Sequence, residues 1–220
     1  MKLTLFLFWA FCKITGITGN DPGGQVPLNL QVQTEFRLVG GPCEGCEAIF
    51  EYGGQALNNV DTLEDFQTKG PGFLIKGTLY QHGSRKPAPG VILYIYHTNQ
   101  EGAYPTRGNE KGWAKRHGYL RGWAKTDANG NYRFYTQIPG AYPSRSNPKH
   151  IHLTVLEPNG KYYYLESYLF KNDPLLTDDR INRMNPRGGG GFVVAPVLQN
   201  GLLVATRDIE LGKNVPGYDH

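Results

Sequence analysis

Residues 120–137 read LRGWAKTDANGNYRFYTQ and contain two runs rich in aliphatic and aromatic residues on either side of a polar turn. Each run has the composition and alternation of a β-strand. The turn Asp127-Ala128-Asn129-Gly130 supplies the positive φ angles that a short hairpin needs. The sequence therefore predicts strands at 120–126 and 131–137 that pair as antiparallel neighbours.

Similar runs recur on both sides of this stretch. The other predicted strands are 73–80, 91–97, 150–156, 162–170, 192–198 and 202–209. The turn Gln199-Asn200-Gly201 predicts that the last two form a hairpin. The 29 Gly, 15 Pro and 14 Tyr residues, without a long polar tract, argue against a disordered chain and against a helical bundle. We therefore expect an all-β fold, a β-sandwich over residues 71–220.

The size and charge of the chain narrow its class further. The 220 residues are consistent with one domain. The 23 basic and 19 acidic residues leave a net charge of only +4, and this small excess argues against nucleic acid or a membrane surface as the main partner.

The first residues have the pattern of a signal peptide. A basic start precedes an apolar run at 3–12, which is too short to span a bilayer of about 30 Å. Cleavage after Gly16 or Gly19 would leave a small residue at the cut. We therefore expect a signal peptide at 1–19, no transmembrane span in the mature chain, and export to the periplasm or the medium. A lipid anchor on Cys12 and a buried N-terminal segment are the alternatives.

Residues 20–70 are irregular and interrupted by Gly-Gly and Pro-Gly breaks, which predicts an extended N-terminal arm. The arm contains Cys43 and Cys46 in the order Cys-Glu-Gly-Cys. Such a pair is typically oxidised in an exported protein, so we expect a local disulfide. A reactive thiol pair and a zinc site with further ligands elsewhere are the alternatives.

His150 and His152 are candidate metal ligands. Side chains on a strand alternate between its faces, so both imidazoles project to one side and Ile151 to the other. Tyr104 and Tyr142, each in a Gly-Ala-Tyr-Pro segment, can join them. Phenolate oxygens with imidazole nitrogens favour Fe(III), because a phenol loses its proton near neutral pH only to a strongly Lewis-acidic cation. A polar His pair without a metal is the alternative.

The chain resembles the intradiol ring-cleavage dioxygenases, the family of the catechol and protocatechuate enzymes. The resemblance lies in Tyr104, Tyr142, His150 and His152 and in the stretch GWAKTDANGNYRFY at 122–135. It implies a transthyretin-like (prealbumin-like) β-sandwich with one non-haem Fe(III) per chain. It also implies an oxidoreductase of aromatic compound catabolism, which uses O2 to cleave a catechol-type ring between its two hydroxyl-bearing carbons and yields a muconate-type diacid.

The resemblance implies roles for single residues. Tyr104 stays bound to iron as a phenolate. Tyr142 is displaced when a catechol chelates the metal, and the displaced Tyr142 phenolate accepts one of the catechol protons. Family members carry an Arg shortly before the first ligand His, at the position of Asn147 in this chain. Arg145 is the nearest candidate to supply that positive charge as a catalytic residue. A solvated loop position is the alternative for Arg145.

Four residues are candidates for substrate binding: His117, Asn147, Glu166 and Ser167. His117 lies between the two tyrosines in sequence, and either lines the substrate mouth or is a surface loop residue. Glu166 and Ser167 fall where family members place a polar residue close to the iron, and a position at the rim of the site is the alternative.

A second hypothesis is a non-catalytic transthyretin-like module of the cell envelope that binds a metal or a ligand. Asn147 and the leader sequence are its main support. A hydrolytic metal centre is disfavoured, because no Asp or Glu accompanies the His-x-His motif. Catechol, hydroxyquinol and protocatechuate are all compatible with the sequence as substrates, and the oligomeric state stays open.

Overall fold

The computed structural model describes residues 35–218. The predicted signal peptide and the first part of the predicted arm lie outside these residues, so export and the alternative of a lipid anchor at Cys12 stay predictions. Within residues 35–218, no helix is long and apolar enough to cross a membrane.

The described residues form mostly short strands. The strands are β1 (Arg37–Leu38), β2 (Val60–Thr62), β3 (Gly72–Tyr80), β4 (Ile92–His97), β5 (Arg121–Lys125), β6 (Asn131–Gln137), β7 (His150–Leu156), β8 (Lys161–Phe170), β9 (Val193–Val194), β10 (Val197–Gln199), β11 (Leu202–Thr206) and β12 (Ile209–Glu210). The helices are a 3₁₀ helix (Cys46–Phe50), α1 (Ala114–His117) and α2 (Asp178–Asn182).

The strands form two six-stranded sheets. Sheet A has the order β1-β8-β7-β4-β5, with β9 also paired to β8, and sheet B has the order β10-β11-β3-β6-β2, with β12 also paired to β3. Both inner faces contribute to one apolar core. Across it, the rings of Phe73 and Phe170 lie 5.8 Å apart, and the hydroxyls of Tyr132 and Tyr168 lie 2.7 Å apart. The predicted all-β sandwich is confirmed.

The turn at 127–130 connects the two sheets rather than two neighbouring strands. It is tight, because Asp127 Oδ1 accepts hydrogen bonds from the N–H groups of Asn129 and Asn131, both at 2.9 Å. However, β5 pairs with β4 in sheet A, and β6 pairs with β3 in sheet B. The predicted pairing of these two strands is therefore wrong. Alternation in a sequence reports that one face is buried, and a sandwich buries that face equally well in either sheet.

The C-terminal strands are shorter than predicted. The run at 192–198 divides into β9 in sheet A and β10 in sheet B, with Pro196 between them. Proline has no N–H to donate to a sheet, so the ladder ends there. The predicted hairpin at 199–201 is confirmed, because Gln199 lies opposite Leu202.

The N-terminal part of the described chain packs on the outer face of sheet A. Ala48 and Ile49 of the 3₁₀ helix form a second apolar cluster with Tyr94 and Leu156. Sheet A is therefore buried on both faces in this region, and its central strands are rich in apolar and aromatic residues throughout. This packing fixes the outer face of β4 and β7, where the candidate site lies.

His97, at the end of β4, is fully buried as a neutral imidazole. Its Nδ1–H donates to Thr98 O at 2.7 Å, and its Nε2 accepts from the hydroxyl of Thr136 at 2.6 Å. Burial lowers the pKa of His97 to about 4, whereas an unfolded chain has an imidazole pKa of about 6.5. The unfolded state therefore binds the proton more readily, and stability is lost as the pH falls from about 6.5 to about 4.

We predict that His97→Gln flattens this pH dependence. Titration of His97 contributes up to about 1.4 kcal/mol per pH unit to the change of the free energy of unfolding within that window, and the variant lacks this contribution. Urea unfolding followed by circular dichroism at several pH values between 4.5 and 7.5 measures the slope. An identical slope for the variant and the parent protein would show that His97 does not titrate on unfolding.

Candidate metal centre

Two Gly-Ala-Tyr-Pro segments bring Tyr104 and Tyr142 together. Gly102 has a φ of +79° and lies against the backbone of the other segment, where an added Cβ would lie only 1.9 Å from Ala141 O. Only glycine permits this approach, because it has no Cβ and adopts positive φ without strain. As a result, the hydroxyl oxygens of Tyr104 and Tyr142 lie 2.6 Å apart.

β7 supplies the two imidazoles. Ile151 is 0% exposed in the core, and His150 and His152 project from the opposite face of the strand. The Nδ1–H of His150 donates to Pro148 O at 2.7 Å, which leaves its Nε2 as an acceptor. This Nε2 lies 3.1 Å from Nε2 of His152.

The four donor atoms form a closed cluster. Tyr104 Oη lies 3.0 Å from His152 Nε2, and Tyr142 Oη lies 3.2 Å from His150 Nε2. Ligand atoms about 2 Å from one metal ion, at right angles, lie about 3 Å from one another, so this spacing fits a shared cation. Among the described residues, no group of three or more His, Cys, Asp or Glu could hold a metal. A metal at this cluster therefore needs the two phenols.

Burial favours the neutral forms of these groups. It lowers the pKa of His152 to about 3 and also lowers the pKa of His150. Burial and the hydrogen bond with Tyr142 raise the pKa of Tyr104 above its ordinary value. At neutral pH the imidazoles thus offer lone pairs, whereas the Tyr104 phenol gives up its proton only to a strongly Lewis-acidic cation.

Stacked aromatic rings support His152. Tyr96 lies directly opposite His152 in the register of β4 and β7, and the two rings are 4.3 Å apart and nearly parallel at 12°. His117 stacks on Tyr96 in turn, at 3.7 Å and 6°, and its Nδ1 lies 2.8 Å from the hydroxyl of Tyr94. His117 is 5% exposed, so it is not a surface loop residue. The sequence contains no signal for Tyr96, because its role depends on the register between two distant strands.

The segment 43–46 covers one side of the cluster. Cys43 and Cys46 are joined by a disulfide with a Cα–Cα distance of 5.7 Å, and this segment, the disulfide loop, lines a cavity of about 320 Å³ that reaches His152. Glu44 forms an exposed ion pair with Arg116, and both residues line an adjoining cavity of about 200 Å³. The disulfide loop therefore bounds two of the approaches to the cluster.

A third cavity, of about 240 Å³, adjoins the histidines on the other side, and we call it the arginine cavity. Its lining residues are Tyr142, Asn147, Pro148, His150, His152, Glu166, Ser167, Leu169, Arg180 and Met184. A β-bulge between β7 and β8 sets two residues, Glu166 and Ser167, against the single residue His152. Burial raises the pKa of the Glu166 carboxyl, and Arg207 and Arg187 oppose that shift.

Asn147 and Arg145 lie on the same loop in different surroundings. Asn147 lines the arginine cavity, and its Oδ1 accepts a hydrogen bond from Arg180 Nη2 at 3.1 Å. Arg145 is exposed, and it lines none of the three cavities around the cluster. The catalytic role of Arg145 stays a prediction. Arg180 had no signal in the sequence, because α2 meets the loop only in the folded chain.

Comparisons with known proteins agree with this architecture. A family model described as "Dioxygenase" matches residues 48–196. No curated protein matches the chain.

Several solved structures of dioxygenases have a similar fold. The chain is similar to the dioxygenase domain of a dioxygenase carbohydrate-binding protein fusion from Streptomyces sp. SirexAA-E, with a TM-score of 0.53 and 21% identity over 68% of this chain and 85% of that chain. An intradiol ring-cleavage dioxygenase from Tetranychus urticae has a TM-score of 0.54 and 20% identity to this chain, over 71% of this chain and 87% of that chain. Catechol 1,2 dioxygenase from Acinetobacter radioresistens has a TM-score of 0.54 and 18% identity, and the match covers 76% of this chain but 62% of that chain. At these identities the likeness shows a shared fold.

We predict that Gly45→Ala destabilises the protein more than Gly41→Ala. Both glycines have similar positive φ angles, +84° and +89°, but an added Cβ at position 45 would lie 2.6 Å from His117 Nε2, whereas position 41 has no atom within 4 Å. The steric contact adds about 1 to 3 kcal/mol to the backbone strain that both variants share. An equal decrease in the free energy of unfolding for both variants, measured by urea unfolding, would show that Gly45 is not in close contact with His117.

Proposed function

This chain belongs to the intradiol ring-cleavage dioxygenase family, and we propose that it is an Fe(III) enzyme that cleaves a catechol-type ring between the two hydroxyl-bearing carbons. O2 is the second substrate, and a muconate-type diacid is the product. The observation that carries the proposal is the convergence of two phenol oxygens and two imidazole nitrogens within 2.6 to 3.2 Å at the meeting point of three cavities.

The donor set fits Fe(III), with one ion per chain. Tyr104, Tyr142, His150 and His152 would hold it, because hard phenolate oxygens match ferric iron, whereas zinc is more often bound by His with Cys or carboxylate. Bound iron supplies Lewis-acid chemistry, which draws electron density from a chelated catechol and makes its ring reactive toward O2.

The two tyrosines differ in how they are held. The backbone hydrogen bonds near them differ in reach: Tyr119 N–H, just before β5, donates to Pro105 O at 3.0 Å, whereas Arg145 N–H donates to Tyr142 O at 2.8 Å within the same loop. The loop that follows Tyr142 is exposed from 143 to 147, and Tyr142 lines two of the three cavities. We therefore assign Tyr104 as the fixed ligand. Tyr142 would be the ligand that an entering catechol displaces, and its phenolate Oη would accept a proton from that catechol.

The surroundings orient the two imidazoles. The hydrogen bond from His150 Nδ1 to Pro148 O sets the tautomer and directs Nε2 at the cluster. The ring of Tyr96 holds the plane of the His152 ring by stacking. These contacts hold both nitrogens in place before a metal binds, which lowers the entropy cost of binding.

We predict that Tyr104→Phe lowers the iron content and weakens the visible colour of the iron-loaded protein. A tyrosinate bound to Fe(III) absorbs visible light, and the variant lacks the fixed phenolate and binds iron more weakly. The absorption spectrum and the iron content after loading measure both effects. Tyr135→Phe on sheet B, where the ring packs on Phe66, is the matched control and should keep both. Full colour and iron content in Tyr104→Phe would remove Tyr104 from the ligand set.

The catalytic proposal has a direct test. Purified iron-loaded protein is mixed with catechol without oxygen, and air is then admitted. We expect the visible band to shift with catechol and to recover in air, with one O2 consumed per muconate-type product formed. A coloured protein that binds catechols without consuming O2 would overturn the catalytic proposal and favour the non-catalytic binding module.

A further inference from the structure

The arginine cavity contains a positive charge that the proposed ligand set does not use. Arg180 is half-buried and lines this cavity together with Tyr142 and His150. Among residues 35–218, no carboxylate lies within ion-pair distance of its guanidinium. Its hydrogen bond to Asn147 Oδ1 uses one of the five N–H donors of a guanidinium. The remaining donors are therefore available to a ligand.

Two acidic residues lie near the arginine cavity, and Glu166 lines the cavity itself without an ion pair to Arg180. The carboxyl of Glu166 is influenced by Arg207 and Arg187 rather than by Arg180. The carboxylate of Asp173 is buried and accepts hydrogen bonds from the backbone N–H groups of Lys149 and Leu175, both at 2.9 Å. The charge of Arg180 is thus not neutralised by an acid of the described chain.

The position of Arg180 is set by its helix. The backbone N–H of Arg180 donates to the N-cap hydroxyl of Thr177 at 3.2 Å. Ile181 and Met184 pack against a small apolar cluster of Leu169, Leu176 and Phe192. The guanidinium therefore faces the cavity from a packed element and not from a free loop.

We propose that Arg180 and Asn147 bind a carboxylate on the substrate, so that the preferred substrates are catechols with an acidic side group. A guanidinium pairs with a carboxylate through two parallel hydrogen bonds, and the amide nitrogen of Asn147 can donate a third. This inference rests on the proposed function, because the two ring hydroxyls have to bind at the cluster of Tyr142, His150 and His152 while the carboxylate reaches Arg180.

The test compares two substrates that differ in one carboxylate. With iron-loaded full-length protein, kcat/KM is measured for 3,4-dihydroxybenzoate and for catechol. Arg180→Gln is expected to lower the value for the acid by about 10- to 100-fold, as for loss of a hydrogen-bonded charge pair, and to change the value for catechol less than about 3-fold. Arg180→Lys should recover part of the loss. Arg183→Gln, which removes an exposed charge that pairs with Asp179 one turn further on, is the matched control and should behave like the parent.

A binding measurement separates this inference from the proposed function. Calorimetric titration with benzoate and with benzamide needs no turnover, and we expect benzoate to bind more tightly to the parent protein and to lose that advantage in Arg180→Gln. Benzoate preference without turnover of any catechol would overturn the proposed function and leave the carboxylate site standing. Turnover with equal losses on both substrates, or with no preference for benzoate, would overturn the carboxylate site and leave the dioxygenase standing.

Discussion

The backbone contact between Gly102 and Ala141 is the constraint on which the candidate site depends. It joins two loops that are far apart in sequence and sets their tyrosine oxygens 2.6 Å from each other. A side chain at position 102 would separate the loops by at least the thickness of a methyl group. The two phenols would then no longer reach the imidazoles of His150 and His152 together. The cluster is therefore built from backbone packing as much as from the four side chains.

The sandwich supplies the rigidity that this contact needs. β7 buries Ile151 in the core and presents its two histidines on the outer face of sheet A. The 3₁₀ helix and the disulfide loop cover the same face nearby, and the stacked rings of Tyr96 and His117 fill the space between the loop and His152. The supporting contacts of the proposed metal site are therefore made by the protein's own side chains.

Charge is distributed unevenly around the cluster. On the side of the disulfide loop, Glu44 and Arg116 pair with each other in solvent. On the other side, Arg180 faces the arginine cavity with Asn147 and without an acidic partner among the described residues. Arg180 can attract a negatively charged substrate group, in agreement with the orientation that we propose for an acidic catechol.

The sequence by itself determined the strands with strong alternation, the family and the residue types at the centre. β6 and β7 have the bounds that their patterns predict, and the Tyr and His residues were identified from their spacing and from the family resemblance. Only the tertiary structure decided that β5 and β6 belong to different sheets, that His117 is buried and that Arg180 faces the site. The reason is physical: alternation is a local property that reports a buried face, whereas strand partners and contacts between distant loops depend on the register and packing of the whole chain.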